Sequence, residues 1–184
     1  MNITNIQNTK TQSFGMALKL KNNASKKIAE KIYSYSDTDR AKRIFMNDIA
    51  KPIDKLKSKV TYDGKRVFVE SENNKDIIEV LDTNEYGLTP YIDGKNSKTL
   101  CTHIKRNGQD DIYKIHYSVT NEEFYSISNN LASFYGDELK LRLAGEIAHN
   151  LDKQNSTMAT RAYTKQQKAM QIEKTAEELK NLFG

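Results

Sequence analysis

The chain has 184 residues, one Cys, no Trp, 37% hydrophobic residues and a formal charge of +5, enough for one domain with a core that needs no staples. A lone cysteine excludes an internal disulfide, and no apolar run approaches the roughly 18 residues of a membrane span. The basic excess is local: residues 1–58 carry 12 Lys/Arg against 5 Asp/Glu, residues 59–118 carry 9 against 10, and residues 119–184 carry 8 against 9.

Residues 1–15 are mostly Asn, Thr, Gln and Ser without an apolar period, which reads as a flexible polar leader. They lack the apolar stretch of a secretory signal, so the expected compartment is the cytoplasm. Polar leaders of this kind also occur on proteins exported by bacterial injection machines. A single domain is expected over 16–155. Its first helix falls at 24–35, with Ile28 and Ile32 on one face and Lys26, Lys27 and Lys31 around them. A second falls at 38–58. There Ser36-Asp37-Thr38-Asp39 offers N-cap side chains, and Ala41, Phe45, Ile49, Ile53 and Leu56 gather on one face. Pro52 should kink or split that helix.

Three dipeptides then punctuate the chain: Asp63-Gly64, Asp93-Gly94 and Asn107-Gly108. Such pairs suit tight turns whose central residues need φ > 0, and those turns match the twist of antiparallel strands. They predict a β-meander between about 59 and 119. Val60 and Tyr62 should face Val67 and Val69 across the first turn. Residues 76–81 make an interior strand, 82–87 a loop, and 88–92 an edge strand because of Pro90. The last hairpin has two candidate registers, Arg106 opposite Gln109 or opposite Asp111. Both place Leu100, Ile104, Tyr113, Ile115, Tyr117 and Val119 on the core face. Both leave Cys101, His103, Lys105, Ile112, Lys114 and His116 on the wetter face.

Thr120 and Glu123 form a capping box for a helix at 121–135, and Gly136 falls where a helix-ending glycine belongs. Asp137 can cap a helix at 138–153, with Leu139, Leu143, Ile147 and Leu151 every four residues. The stretch Leu139 to Leu143 also alternates like a strand. Ser156 or Thr157 opens a separate, loosely packed helix over 156–184 with a thin apolar face: Ala159, Ala162, Tyr163, Ala169, Met170, Ala176, Leu179 and Phe183. Its heptads read as broken. The fold expected is α+β, an antiparallel meander of five or six strands packed against N-terminal and C-terminal helices.

No phosphate-cradling glycine loop, dinucleotide fingerprint, H-E-x-x-H, C-x-x-C or G-x-S-x-G is present. No cofactor or metal is implied. The sharpest catalytic constellation is Cys101 with His116, and His103 beside them. In the Arg106–Asp111 register Cys101 faces His116, and such a contact lowers a thiol pKa. The same trio with Asp110 or Glu79 would be a partial zinc site. The competing reading is three polar residues that meet on one wet face, with the thiol packed as a small hydrophobe. Asp37-Thr38-Asp39 superficially matches a metal-nucleotide motif, but capping explains it. His149 reads as a solvated side chain.

The stripe Arg40, Arg43, Asn47 and Lys51, backed by Lys19, Lys21, Lys26 and Lys27, could track a phosphate backbone, with Tyr33 and Tyr35 stacking on bases. Against this, 23 of the 29 basic residues are Lys, a composition AT-rich genomes produce, and Asp54 interrupts the stripe. The leading functional expectation is a non-enzymatic binding or adaptor protein of a low-GC bacterium that engages a protein partner through the sheet's exposed side or the last helix. Nucleic-acid binding and a small Cys/His enzyme or exported effector are the alternatives.

Overall fold

The protein is known from a computed structural model, which describes residues 17–72, 76–81, 89–93 and 97–183. The expected leader, the loop at 82–87 and the Gly94 half of the Asp93-Gly94 turn lie outside the described residues.

Two hairpins fall where their turn residues place them, although at the first only Gly64 has positive φ and Asp63 to Arg66 make a longer connection than the tight turn expected. β2 (Lys59–Tyr62) and β3 (Val67–Glu70) pair antiparallel with Val60 opposite Val69 and Tyr62 opposite Val67. β6 (Ser97–Arg106) and β7 (Gln109–Tyr117) are joined by Asn107 and Gly108 alone, at φ of 52° and 85°. Both values suit a two-residue turn that preserves the strand twist. β4 (Ile77–Val80) pairs with β3 and with residues 104–106 of β6, and β5 (Thr89–Asp93) pairs with residues 97–101 of β6. β7 lines one edge of β6 along its length, so β4 and β5 share the other edge end to end. The meander is therefore interrupted: β4 neighbours β6 rather than β5. Pro90 lies in β5, which bonds to β6 alone among the described strands and so tolerates a residue without an N–H.

One pair departs from the antiparallel expectation. β1 (Leu18–Leu20) runs parallel to β2, with Val60 N donating to Ala17 O at 2.7 Å and Lys21 N to Tyr62 O at 2.8 Å. Three residues with one half-buried Leu carry too little period to be read as a strand.

The apolar face is the expected one. Val60, Val67, Val69, Leu100, Ile104, Tyr113 and Ile115 are buried, and Tyr117 packs against them. Helices cover this face. α1 (Ala24–Tyr33) leads to α2 (Thr38–Ile44), whose N-cap Asp37 accepts a bond from Arg40 N. Helix 38–58 is shorter than its sequence period suggests. It continues as a π-helical segment (Phe45–Ala50) and one turn, α3 (Lys51–Asp54), where Pro52 occupies the first positions. A proline in mid-helix clashes with the carbonyl four residues back. The wider π turn just before Pro52 accommodates it without a break.

α4 (Asn121–Ala132) starts on the predicted capping box, with Thr120 Oγ1 accepting from Glu123 N at 3.2 Å and Glu123 Oε2 from Thr120 N at 2.8 Å. It ends at Ser133, three residues before Gly136. Gly136 instead turns the chain, at φ 59°, into α5 (Gly136–Phe183). The two helices expected at 138–153 and 156–184 are thus one helix of 48 residues. No Gly or Pro occurs between Gly145 and Gly184. Thr157, Thr160, Thr164 and Thr175 donate to carbonyls four residues back at 2.9–3.0 Å, so these hydroxyls join the helix rather than start a new one. Leu139, Leu141 and Leu143 are all buried because this end of α5 is enclosed, which explains their strand-like alternation.

Turn and core each yield a test. Gly64 and Gly108 both have positive φ, but a Cβ on Gly64 would run into the Asn23 side chain while one on Gly108 meets open space. Gly108→Ala is expected to cost about 1 kcal/mol of backbone strain, roughly 2–4 °C in Tm for a chain this size. Gly64→Ala should cost at least as much in the same thermal melts, because the Asn23 side chain must also swing aside, and a smaller loss would contradict the placement. The second test concerns Tyr113, whose buried hydroxyl has no hydrogen-bond partner among the described residues. Burial pushes its pKa up to about 12. The neutral ring thus adds stability that is complete below pH 10 and is lost as pH rises through 12. Tyr113→Phe should gain about 1 kcal/mol at pH 7 and flatten that alkaline loss in urea titrations; a less stable variant would overturn this account.

Candidate protein-docking interface

The first half of α5 is tied to the rest of the domain by bonds that span long stretches of sequence. At its start, Tyr62 donates to Asp137 Oδ2 and Tyr35 to Glu138 Oε2 at 3.0 Å. Lys140 Nζ reaches both Asp137 Oδ1 at 2.7 Å and Lys65 O at 3.0 Å. Midway, Tyr117 donates to Glu146 Oε2 at 3.1 Å. Near residue 152 the carboxylate of Asp152 closes the loop before β2. It accepts from Lys57 N at 2.7 Å, Ser58 N at 3.0 Å and Ser58 Oγ at 2.7 Å. Ser58 is fully buried, so these bonds replace water that the loop amides have lost.

Around the start of α5 a cleft of ≈ 350 Å³ is lined by Lys31, Tyr62, Tyr135, Asp137 and Glu138 among others. Burial first, then the bond to Asp137, pushes the Tyr62 hydroxyl above its ordinary pKa. Burial, then the bonds to Tyr135 and Glu138, does the same to Tyr35. The hydrogen bond from Tyr35 and the Lys31 ammonium, 4.0 Å over the ring, pull Tyr135 down. Tyr35 and Tyr62 keep their protons and donate them to carboxylates. They anchor the helix and offer no activated base.

Beyond the tethers α5 leaves the domain. Every described residue from Ser156 to Leu182 is exposed while the helix continues. Continuing from a packed helix avoids the nucleation cost that makes isolated helices marginal. The threonine back-bonds and the Lys174–Glu178 pair, at 3.9 Å, lie along this half. At about 1.5 Å per residue, the projecting half is roughly 40 Å long.

The hairpin places the Cys/His trio differently from the facing arrangement that would activate a thiol. The two-residue turn puts Arg106 opposite Gln109, so Cys101 faces Lys114 and His116 faces Thr99. Thr99 Oγ1 lies 3.0 Å from His116 Nδ1. His103 is half-buried opposite Ile112, and Cys101 is half-buried opposite Lys114. A shift of two residues in register keeps every face the same and changes every partner. Glu79 and Asp110 both sit opposite Lys105. Among the described residues no group of three or more His, Cys, Asp or Glu is placed to hold a metal ion.

The basic stripe is exposed as a set. Arg40 and Arg43 lie on α2, Asn47 on the π segment and Lys51 on α3, with Lys51 Nζ donating to Asn47 Oδ1 at 2.9 Å. Lys19, Lys21, Lys26 and Lys27 are also exposed, and Lys26 is 3.7 Å from Glu30. Of the two expected stacking tyrosines, Tyr33 is exposed and Tyr35 is held by Glu138.

Among the described residues no helix is long and apolar enough to cross a membrane. Comparison of the chain with protein-family models, curated proteins and solved structures finds no match. The tethers Tyr62, Asp137 and Asp152 escaped sequence reasoning because their partners lie 75 and 94 residues away and no local pattern links them.

Asp152→Ala would strand three donors, among them the fully buried Ser58 amide and hydroxyl. A loss of about 1–3 kcal/mol is expected, read as a lower urea midpoint at unchanged slope. Asp152→Asn, which still accepts, should lose less. Full stability in Asp152→Ala would show that the carboxylate does not hold the helix.

Proposed function

We propose that this chain is a non-enzymatic binding protein that engages a protein partner along the projecting half of α5. One observation carries the reading: 27 consecutive residues, Ser156 to Leu182, are exposed, and on one side of the helix Met158, Ile172, Leu179 and Leu182 each leave more than half of their surface in water. Apolar area on this scale along one element is the mark of a surface that another protein covers. The attachment of α5 favours binding, because a helix already formed and anchored loses little freedom when it docks. The wet face of the β6–β7 hairpin supports the role less well: Ile112 is its one strongly exposed large apolar side chain among the described residues, set among Lys105, Lys114 and the histidines.

The test is a photo-crosslinking amino acid placed singly at Ala169, Ile172 or Gln167 of the full chain in the native host. Positions 169 and 172 belong to an apolar stripe, and 167 lies on the opposite side of the helix. Protein adducts from 169 and 172 but not from 167 are expected. Equal labelling at all three positions, or none, would remove the docking role.

A further inference from the structure

Because α5 is unbroken, a single heptad register runs its whole length. Leu141, Ala144, Ala148 and Leu151, spaced 3, 4 and 3, pack into the core or against it. The same alternation continues through Asn155, Met158, Ala162, Lys165, Ala169, Ile172, Ala176 and Leu179. Read as a single helix, the seam is continuous and drifts only about 20° per heptad around a straight axis. Between Met158 and Leu179, the first of the two seam positions is Ala (162, 169, 176), and the second is long (Met158, Lys165, Ile172, Leu179).

From this pattern, and resting on the docking role proposed above, we propose that the partner is a second copy of this chain, paired antiparallel along the projecting half of α5. Reversing one helix sets each alanine of the seam opposite a long side chain of the other. With the two-fold axis between Met170 and Gln171, Ala162 meets Leu179, Ala169 meets Ile172, and Ala176 meets Lys165. Symmetry repeats each pair, giving six consecutive layers of one small and one long side chain. Layers of even thickness let the two helices pack at one constant distance. A parallel pair fails on both counts. It would stack Ala on Ala and alternate thin layers with thick ones. It would also bring Lys165 against Lys165 in the seam, where opposed like charges are costly. In the antiparallel pair Lys165 has Ala176 opposite it and can extend its ammonium to water.

The flanking positions agree. Across the antiparallel seam Gln166 lies beside Glu173, Ala159 beside Lys180, Lys168 beside Thr175, and Arg161 beside Leu182. No like charges face each other. Leu182, 73% exposed in the single chain, would gain cover from the stem of Arg161. The interface is isologous, and its two-fold symmetry closes the assembly at two copies. The globular portions would then stand at opposite ends of a rod of roughly 40 Å.

The experiment uses the full chain. Light scattering over about 1–100 μM protein should report a dimer that dissociates on dilution. Ala169→Glu and Ile172→Glu each place a carboxylate in the central layers and should weaken association about tenfold or more, while Gln167→Glu, on the outer side, should not. Helix content by circular dichroism should stay constant in all three, since the residues are exposed in the single chain. Orientation is read from spin labels on a Cys101→Ser background. Labels at Thr160 should lie about 30 Å apart or more, because residue 160 aligns with residue 181 of the other copy. Labels at Lys174 should be much closer. Equal short distances at both positions would mean a parallel pair and overturn the proposal. A monomer at every concentration would also overturn it; stripe-specific crosslinks to another protein would then leave the docking role standing, and their absence would remove both.

Discussion

The uninterrupted backbone ladder of α5 is the constraint from which the rest of the molecule follows. Its first half supplies Leu141, Leu143, Ala144, Ile147 and Ala148 to the core. It is pinned to the turn between α1 and α2, to β2, to β7 and to the loop before β2 by carboxylates at 138, 137, 146 and 152. With no glycine or proline after Gly145 until the last residue, the order imposed on the buried half passes directly into the projecting half. A rod that would be marginal as a free peptide is thereby held in a defined direction.

The anchoring cluster is built of tyrosine hydroxyls donating to carboxylates, and this sets its chemistry. Burial raises the pKa of Tyr62, Tyr35 and Tyr117, and the carboxylates accept the protons without removing them. Such bonds between partly buried groups are directional, so they fix the azimuth of α5 as well as its attachment. That azimuth determines which stripe of the projecting half points away from the globular portion.

A second constraint is the two-residue turn at Asn107-Gly108. It makes the β6–β7 register unique and separates groups that a slightly longer loop would have joined. Cys101 faces Lys114, and His116 is engaged by Thr99. The exposed side of the hairpin is consequently a mixed polar surface on which Cys101 and His116 are not cross-strand partners. The π segment before Pro52 is a comparable local solution. It absorbs the proline's steric demand and keeps Phe45, Ile49 and Ile53 all buried.

Much was legible in the chain by itself. Alternation assigned the dry face of the sheet, because β2, β3, β4, β6 and β7 put their buried apolar residues on one parity. The Asp-Gly and Asn-Gly pairs located both described hairpins, since few other residues reach positive φ cheaply. Thr120 and Glu123 marked the start of α4, because a capping box is a contact between near neighbours. What only the tertiary structure decided depended on partners far apart in sequence or on a choice between equivalent local patterns. The parallel strand β1, the pairing of β4 with β6, the register that separates Cys101 from His116, and the tether of Asp152 to residues 57 and 58 all belong to that group. Ser156 and Thr157 could cap a new helix or bond back into an old one, and the packed half of α5, already helical at that point, selects the second.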